Sequence, residues 1–191
     1  MLLKQINKSL KYFKSPLMPL STVMELVNVC TAALKLQEKL KSKTMNDYQD
    51  VQEDCDEDQK EDFQGEYESY NDLMQVVMEL CGYLIKLYKQ NIESMIFTNI
   101  APFYYKVFTN SSASENEQLY AICLFDDILE HGSQEMHNKA IVDIFTHFIN
   151  LFKNTKNTDL LQSLVYGFGV FATKTPYDLF HQFYMPTVQV P

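Results

Sequence analysis

The sequence predicts an all-α fold in which antiparallel helix pairs stack into an α-α superhelix. Of the 191 residues, only five are glycine and six are proline, which favours helices over the many tight turns of an all-β sandwich. Apolar residues recur at helical spacing in one segment after another. The apolar pattern of residues 97–108 also returns at 141–152, an offset of 44 residues. A repeat of about 42 residues is typical of HEAT and armadillo arrays; a plain helical bundle is the alternative.

Two helices are predicted in the N-terminal part. The first covers residues 1–14 and ends ahead of Pro16, because proline disfavours helical geometry in the residue before it. The second runs from Ser21, a candidate N-cap, to about Lys43. Its predicted core stripe consists of Val23, Leu26, Val27, Cys30, Ala33 and Leu34.

Residues 46–66 are predicted to form an acidic, mostly disordered loop. The stretch 47–68 contains 11 of the 25 acidic residues of the chain, which explains most of its net charge of −9. Few apolar residues are present to bury a face, and the like charges repel one another. Long loops inside compact domains are often functional. The candidate binding residues in this loop are Glu53, Asp54, Asp56, Glu57, Asp58, Glu61 and Asp62.

Further helices are predicted along the remainder of the chain, with a turn and cap at Asn110–Ser114. They cover Tyr70–Lys89, Ile92–Phe108, Leu119–Gly132, His137–Lys153, Asn157–Thr173 and Tyr177 to about Val190. Gly167 and Gly169 lie inside one of them and each costs about 1 kcal/mol relative to alanine. A neighbouring helix that approaches closely over both glycines would offset this cost. Phe145, Phe148, Leu164 and Phe168 are predicted to lie in the core.

An acidic stripe is predicted on the helix at Leu119–Gly132. Cys123, Asp126, Asp127 and Glu130 recur at i, i+3, i+4 and i+7, which places three carboxylates on one exposed face. Like charges at this spacing repel by roughly 0.2–0.5 kcal/mol per pair. A helix that keeps them is expected to offer a surface to a basic partner, and a solvated face without a partner is the alternative.

The composition argues against several classes of function. All 16 basic residues are lysine, so the bidentate donor of phosphate and guanine recognition is missing, and nucleic-acid binding is not expected. No apolar run approaches the about 20 residues of a transmembrane helix, so no membrane partner is expected. The four cysteines and four histidines lack metal-binding spacing, and no phosphate-binding motif occurs. Asp126 and Asp127 diverge by about 100° on a helix. No metal, cofactor, catalytic residue or enzyme activity is therefore predicted.

The order of these segments resembles a known family. A long helix, an acidic insertion and the stretches YNDLMQVVMELCGYLIKLYK, CLFDDILEHGS and LLQSLVYGFGVFA follow one another. This order resembles the C-terminal half of the importin-β (karyopherin-β) nuclear transport receptors, nearest the importin-β-3-type branch. The resemblance runs from about residue 20 onwards and is strongest at Ala121–Ser133 and Val165–Ala172. Since those receptors are much longer, it implies that residues 1–191 are one HEAT-repeat fragment of about three to four repeats.

The resemblance also implies a function. A segment of a nuclear import receptor would bind cargo with Lys/Arg-rich signals, and the GTPase Ran, through a concave HEAT-repeat surface. Asp126, Asp127 and Glu130 would contact cargo or Ran, and the acidic loop would act in Ran binding or cargo release. Nucleoporins are further partners, and the protein would shuttle between cytoplasm and nucleus. The alternative is a HEAT-repeat scaffold or regulatory subunit unrelated to nuclear transport.

Overall fold

The computed structural model describes residues 2–50, 57–110, 112–178 and 180–181, and eight helices are defined in them. They are α1 (Leu2–Leu10), α2 (Leu20–Asp50), α3 (Glu57–Tyr88), α4 (Gln90–Asn99), α5 (Ala101–Phe108), α6 (Glu115–His131), α7 (Gln134–Asn154) and α8 (Thr158–Lys174). No strand occurs in these ranges, so the prediction of an all-α fold is confirmed. None of the described helices combines the length and apolar character that a membrane span requires.

The helices are ordered in two rows by their contacts. In one row α1, α3, α6 and α8 each contact the next helix. In the other row α2 contacts α4, and α5 reaches α7 through the rings of Phe108 and Phe148, whose centroids lie 5.5 Å apart. Helix α6 packs against α3, α5, α7 and α8, so it has neighbours on several sides. Because of this central position, polar residues of α6 also lie between neighbouring helices.

A continuous core joins α2 to α8. Tyr104 is fully buried, and its hydroxyl donates a hydrogen bond to the carbonyl oxygen of Met74 at 2.6 Å. Phe148 packs edge-on against Phe171 as well as Phe108, so aromatic rings fill the space between α5, α7 and α8. Edge-to-face pairs of this kind contribute roughly 0.5–1.5 kcal/mol each beyond the burial of their area. The fully buried large side chains include Tyr104, Phe125, Phe148, Phe171, Leu34 and Met74.

One predicted helix, Ile92–Phe108, is two helices in the structure. Helix α4 ends at Asn99 and α5 begins at Ala101, with Ile100 between them at φ −107°. Pro102 lies at the start of α5, where a residue without an N–H group is tolerated but cannot continue the hydrogen bonds of the preceding helix. The proline therefore explains the break.

The prediction of an acidic loop at 46–66 is wrong at both ends. Helix α2 continues to Asp50, and α3 already begins at Glu57. Glutamate, glutamine and lysine have good helix propensities, and extending an existing helix avoids the unfavourable step of nucleation. A lack of apolar residues therefore does not end these helices. Glu57, Asp58, Glu61 and Asp62 belong to the first turns of α3, whereas Glu53, Asp54 and Asp56 lie outside the described residues, as does most of the helix predicted from Tyr177.

Polar side chains define the starts of α6 and α8. The hydroxyl of Ser114 accepts a hydrogen bond from the Glu117 N–H, and the Glu117 carboxylate accepts one from the Ser114 N–H at 2.9 Å, which together form a capping box. Asn157 caps α8 through the N–H groups of Asp159 and Leu160. The cap predicted at Asn110–Ser114 is confirmed, whereas the cap at Asn157 was not predicted from the sequence. Ser21, in contrast, lies inside α2, which begins at Leu20.

Several predicted core residues lie closer to the surface than expected. Leu164, Phe145 and Phe148 are buried as predicted, whereas Phe168 is only partly buried against the core. Val165 is 57% exposed, because α8 turns the face of Leu160, Leu164 and Phe171 inwards instead. Four apolar residues at helical spacing within the predicted helices are also exposed, namely Tyr105, Phe152, Val165 and Ala172.

Candidate functional site

The three carboxylates of the predicted acidic stripe, Asp126, Asp127 and Glu130, lie between helices and not on an open face. Asp126 is only 5% exposed, and Asp127 and Glu130 are partly buried. Because α6 has α3 and α8 as neighbours in its row, its polar face points towards the gaps on either side. The expectation of a single exposed stripe is therefore wrong for Asp126, although all three side chains remain close to one another.

Two glycines on the flanking helices provide space for the two aspartates. A Cβ atom at Gly82 on α3 would overlap the Oδ2 atom of Asp127. A Cβ atom at Gly167 on α8 would overlap both the Oδ1 atom of Asp126 and the ring of Phe148. The close approach predicted at Gly167 is thus confirmed, and it explains why a helix keeps glycine there. At Gly169 nothing lies within 4 Å of such a Cβ, so the same prediction is wrong there.

A groove between α6 and α8, which we call the carboxylate groove, leads to these side chains. Its volume is about 560 Å³. The Tyr166 hydroxyl on α8 donates a hydrogen bond to Oε2 of Glu130 and so closes one end of the groove. The groove is lined by Leu119, Cys123, Asp126, Asp127, Asp159, Gln162, Ser163 and Tyr166.

Asp126 lacks the hydrogen bonds that a buried carboxylate normally receives. Its Oδ1 atom is buried and has no partner in the described part of the chain. Burial raises the pKa of Asp126 to about 8, and the negative charges of Asp127 and Glu130 act in the same direction. Burial and Glu130 raise the pKa of Asp127 to about 6, against the opposing charge of Lys86. At pH 7 Asp126 is therefore mostly protonated and Asp127 mostly ionised.

The groove does not present an activated nucleophile. Burial, followed by the charge of Asp126, raises the pKa of the Cys123 thiol to about 11. The reactive form of cysteine is the thiolate, which is scarce at pH 7 when the pKa is this high. Cys123 therefore contributes a neutral, weakly polar wall to the groove.

One group of side chains has the composition of a metal site. Ligand atoms of Asp127, Glu130 and His131 all lie within 4.8 Å of one another. The ammonium group of Lys86 acts on the same place, since its charge lowers the pKa of both Asp127 and His131, after larger effects of burial and of Glu130. A second cation beside Lys86 is disfavoured by like-charge repulsion. The arrangement alone does not establish a metal centre.

Gly82 and Tyr166 are site residues that the sequence reasoning missed. A signal existed for Gly82, because an isolated glycine inside a strongly helical pattern often marks a close approach. Tyr166 gave no such signal, since its partner Glu130 lies 36 residues away along the chain. Of the predicted binding residues, the structure brings together Asp126, Asp127 and Glu130, whereas those on the first turns of α3 lie on another part of the fold.

Comparison of the chain with models of known protein families and with curated proteins finds no match.

Proposed function

We propose that this chain is part of a helical protein-binding module of the nuclear import receptor type, which takes a lysine side chain of its cargo in the carboxylate groove. Asp126 carries the proposal. Its carboxyl group lines a groove, is 5% exposed, and has an oxygen without a hydrogen-bond partner. A lysine ammonium group brings three donors and a positive charge, so it would stabilise the ionised form of this carboxyl group from the side of the groove.

The surroundings of Asp126 favour a cationic ligand. Asp127 and Asp159 line the same groove, and Tyr166, which also lines it, donates a hydrogen bond to Glu130. No lysine lines the groove in the described part of the chain. A volume of about 560 Å³ lies within the range of roughly 300–1,000 Å³ that is usual for ligand sites. The groove therefore has the size and the charge for a lysine side chain together with part of its backbone.

The order of the helices supports the second part of the proposal. Helices α3, α6 and α8 follow one another in one row, while α2, α4, α5 and α7 lie in the other, as in an array of helix pairs. A HEAT-like superhelix would place the first of these rows on its concave surface, and the carboxylate groove lies within that row. Cargo with Lys/Arg-rich signals and the GTPase Ran are the partners of this proposal, with the cytoplasm and nucleus as locations.

The direct test measures the binding of a fluorescent lysine-rich peptide to the full chain at low salt. We expect Asp126→Asn with Asp127→Asn to weaken binding at least tenfold, because the peptide loses the charge of Asp127 and the charge that Asp126 acquires when the peptide binds. Glu25→Gln with Asp178→Asn removes two exposed charges elsewhere and is the matched control, with affinity expected near that of wild type. Equal affinity of the two double variants would refute the role of the groove.

A proton balance gives a second test of the same site. Since the pKa of Asp126 is about 8, an ammonium group that binds it at pH 7 must expel the proton. Calorimetry in buffers of different ionisation enthalpy should therefore detect the release of nearly one proton per bound peptide. The affinity should rise from pH 6 to pH 8.5. Binding without proton release would place the peptide outside the groove.

The nuclear transport part of the proposal has its own test. In a receptor that contains this chain, addition of Ran in its GTP form should release the bound peptide, whereas the GDP form should not. A peptide that binds through the groove but is indifferent to both forms would favour the alternative of a HEAT-repeat scaffold or regulatory subunit.

A further inference from the structure

A second cavity lies at the end of α3 where the chain turns into α4. Its volume is about 1,240 Å³, and the residues after α1 and the last turns of α6 and α8 complete its walls. We call it the basic cleft, because Glu130 is the only carboxylate among its described lining residues. Five lysines line it, namely Lys11, Lys14, Lys86, Lys89 and Lys174.

The lysines of the basic cleft have no ion-pair partner in the described part of the chain. None of the five forms an ion pair with a described residue. His131 lies in the same cleft, and the charges of the lysines affect its pKa. Its pKa is lowered by burial, and the charges of Lys86, Lys174 and Lys89 lower it further against the opposing charge of Glu130. In a protein of net charge −9 the cleft is thus a local region of positive potential.

The backbone holds one of these lysines in place. Lys89 is the single residue between α3 and α4, and it has a φ of 50°. A positive φ is uncommon for a residue with a side chain and persists only where the surrounding structure requires it. The sharp turn at Lys89 directs the chain from one wall of the cleft to the next. Lys174 ends α8, where a cation also interacts favourably with the helix dipole.

The size and composition of the cleft favour an acidic polypeptide over a small phosphate compound. Its volume exceeds the roughly 300–1,000 Å³ of ordinary small-molecule sites. Its cations are all lysines, which lack the planar fork that arginine offers to phosphate groups. Apolar side chains such as Phe13 and Leu87 also line the cleft, where they would contact the aliphatic parts of the peptide's side chains.

The chain itself carries an acidic stretch of the required kind. Glu57, Asp58, Glu61 and Asp62 fall within the first six residues of α3, and residues 47–68 contain 11 acidic residues in all. Glu57–Asp62, at the start of α3, are too far from the cleft of their own molecule to enter it. Helix α3 has 32 residues and is about 48 Å long at the usual rise per residue, and the cleft lies at its other end.

We propose that the basic cleft binds the acidic start of α3, Glu57–Asp62, of a second copy of this chain. Such a contact is heterologous, because two different surfaces of the same molecule meet. Each copy then retains one free acidic start and one free cleft, so that copies can add in a row. Association should therefore increase with protein concentration and weaken with salt, which screens exposed charges.

Sedimentation velocity of the full chain tests this proposal. Between about 5 and 200 µM protein at 50 mM NaCl, we expect the mean mass to rise well above the monomer, and 500 mM NaCl should restore the monomer. Lys86→Glu with Lys89→Glu and Lys174→Glu should abolish association. The matched control is Lys35→Glu with Lys153→Glu and Lys156→Glu, which reverses three exposed lysines outside the cleft, makes the same change in net charge and should still associate.

A mixing experiment identifies both surfaces. A second variant reverses the acidic start by Glu57→Lys, Asp58→Lys, Glu61→Lys and Asp62→Lys, and it should also be monomeric. Mixed with the cleft variant, it supplies an intact cleft to an intact acidic start, so the pair should form a 1:1 dimer that cannot grow further. Formation of this dimer also shows that both variants are folded.

Two results would overturn the proposal. A wild-type chain that stays monomeric at 200 µM and low salt has no such contact. Loss of association in the control variant, or a mixture that stays monomeric, would attribute any association to overall charge. The peptide-binding test of the carboxylate groove uses other residues, Asp126 and Asp127, so either proposal can fail without the other.

Discussion

Two buried carboxylates on the same helix behave in opposite ways. Glu117 in the first turn of α6 is 3% exposed, and Asp126 in its middle is 5% exposed. Glu117 accepts hydrogen bonds from the Lys41 ammonium at 2.5 Å and from the Tyr67 hydroxyl at 2.8 Å, besides the capping bond from Ser114. Asp126 has one oxygen that accepts none from the described residues.

The difference teaches that donors, and not burial alone, decide the charge of a buried acid. Burial by itself would raise the pKa of Glu117, but the hydrogen bonds from Lys41, Ser114 and Tyr67 outweigh it and lower that pKa. Burial of Asp126 is not opposed in this way, so its pKa rises to about 8. The first carboxylate joins α6 to α2 and α3, and the second lines the carboxylate groove.

Replacing Glu117 and Asp126 by their amides, one at a time, should give the largest difference in stability. Glu117→Gln leaves the Lys41 ammonium, whose side chain is 22% exposed, without its partner, and we expect the free energy of unfolding to fall by about 3 kcal/mol. Asp126→Asn makes the same exchange at a site that is already mostly neutral at pH 7, and it should change stability by less than about 1 kcal/mol. Urea unfolding of both variants at pH 7 measures this, and equal losses would remove the distinction between the two sites.

The pH dependence of stability should separate the two acids next. Asp126 keeps its proton to about pH 8 when folded but loses it near its ordinary pKa when unfolded, so the folded state binds more protons between about pH 4 and 8. Its contribution to stability therefore decreases as the pH rises, by about 1.4 kcal/mol per unit at most. Asp127 adds the same trend up to about pH 6. Glu117 acts with the opposite sign, because its stabilisation is lost as the pH falls through its lowered pKa.

Urea midpoints of wild type and Asp126→Asn at pH 5, 6, 7 and 8 isolate the share of Asp126. We expect the variant to gain stability relative to wild type as the pH rises, because it has no carboxyl group to deprotonate. The histidines are common to both proteins and cancel in the difference. A difference that does not change with pH would contradict the raised pKa of Asp126.

The glycines give the smallest expected effects and locate the space that Asp126 occupies. Gly167→Ala places a methyl group against Asp126 and the ring of Phe148, and overpacking of this kind costs roughly 1–3 kcal/mol, part of which the better helix propensity offsets. Gly169→Ala meets nothing within 4 Å and should gain up to about 1 kcal/mol. Thermal melts of the two variants should shift in opposite directions, and a shared direction would show that α8 is not tightly packed over Asp126.

Most helices could be predicted because the signals for a helix, its apolar periodicity and its capping residues, lie within or next to the helix itself. The apolar periodicity gave the interiors of α2, α3, α6, α7 and α8, and the Ser114 cap followed from residue types that favour helix starts. Pro102 carried the signal for the break between α4 and α5, although the apolar pattern continues across it. The start of α3 could not be predicted from burial, because Glu57–Asp62 are helical without an apolar face in the sequence.

The candidate site depended on information that no single helix contains. The spacing of Asp126, Asp127 and Glu130 correctly grouped them, but a helical period does not reveal whether one or two neighbours flank the polar face. Burial of Asp126 follows from the packing of α8 on α6, and the exposure of Val165 follows from the same rotation of α8. Asp126 lacks a hydrogen-bond partner because of the way the neighbouring helices pack against α6, which the sequence of α6 alone does not reveal.

The fit of each aspartate over a glycine also constrains how related sequences can diverge. A side chain at position 82 would displace Asp127, and one at position 167 would displace Asp126. A larger residue at position 82 therefore requires a smaller residue at position 127, and one at position 167 requires smaller residues at both 126 and 148. In homologous chains positions 82 and 127 should be exchanged together, as should positions 167, 126 and 148, and a lineage that fills the glycine positions should have lost the two aspartates of the groove.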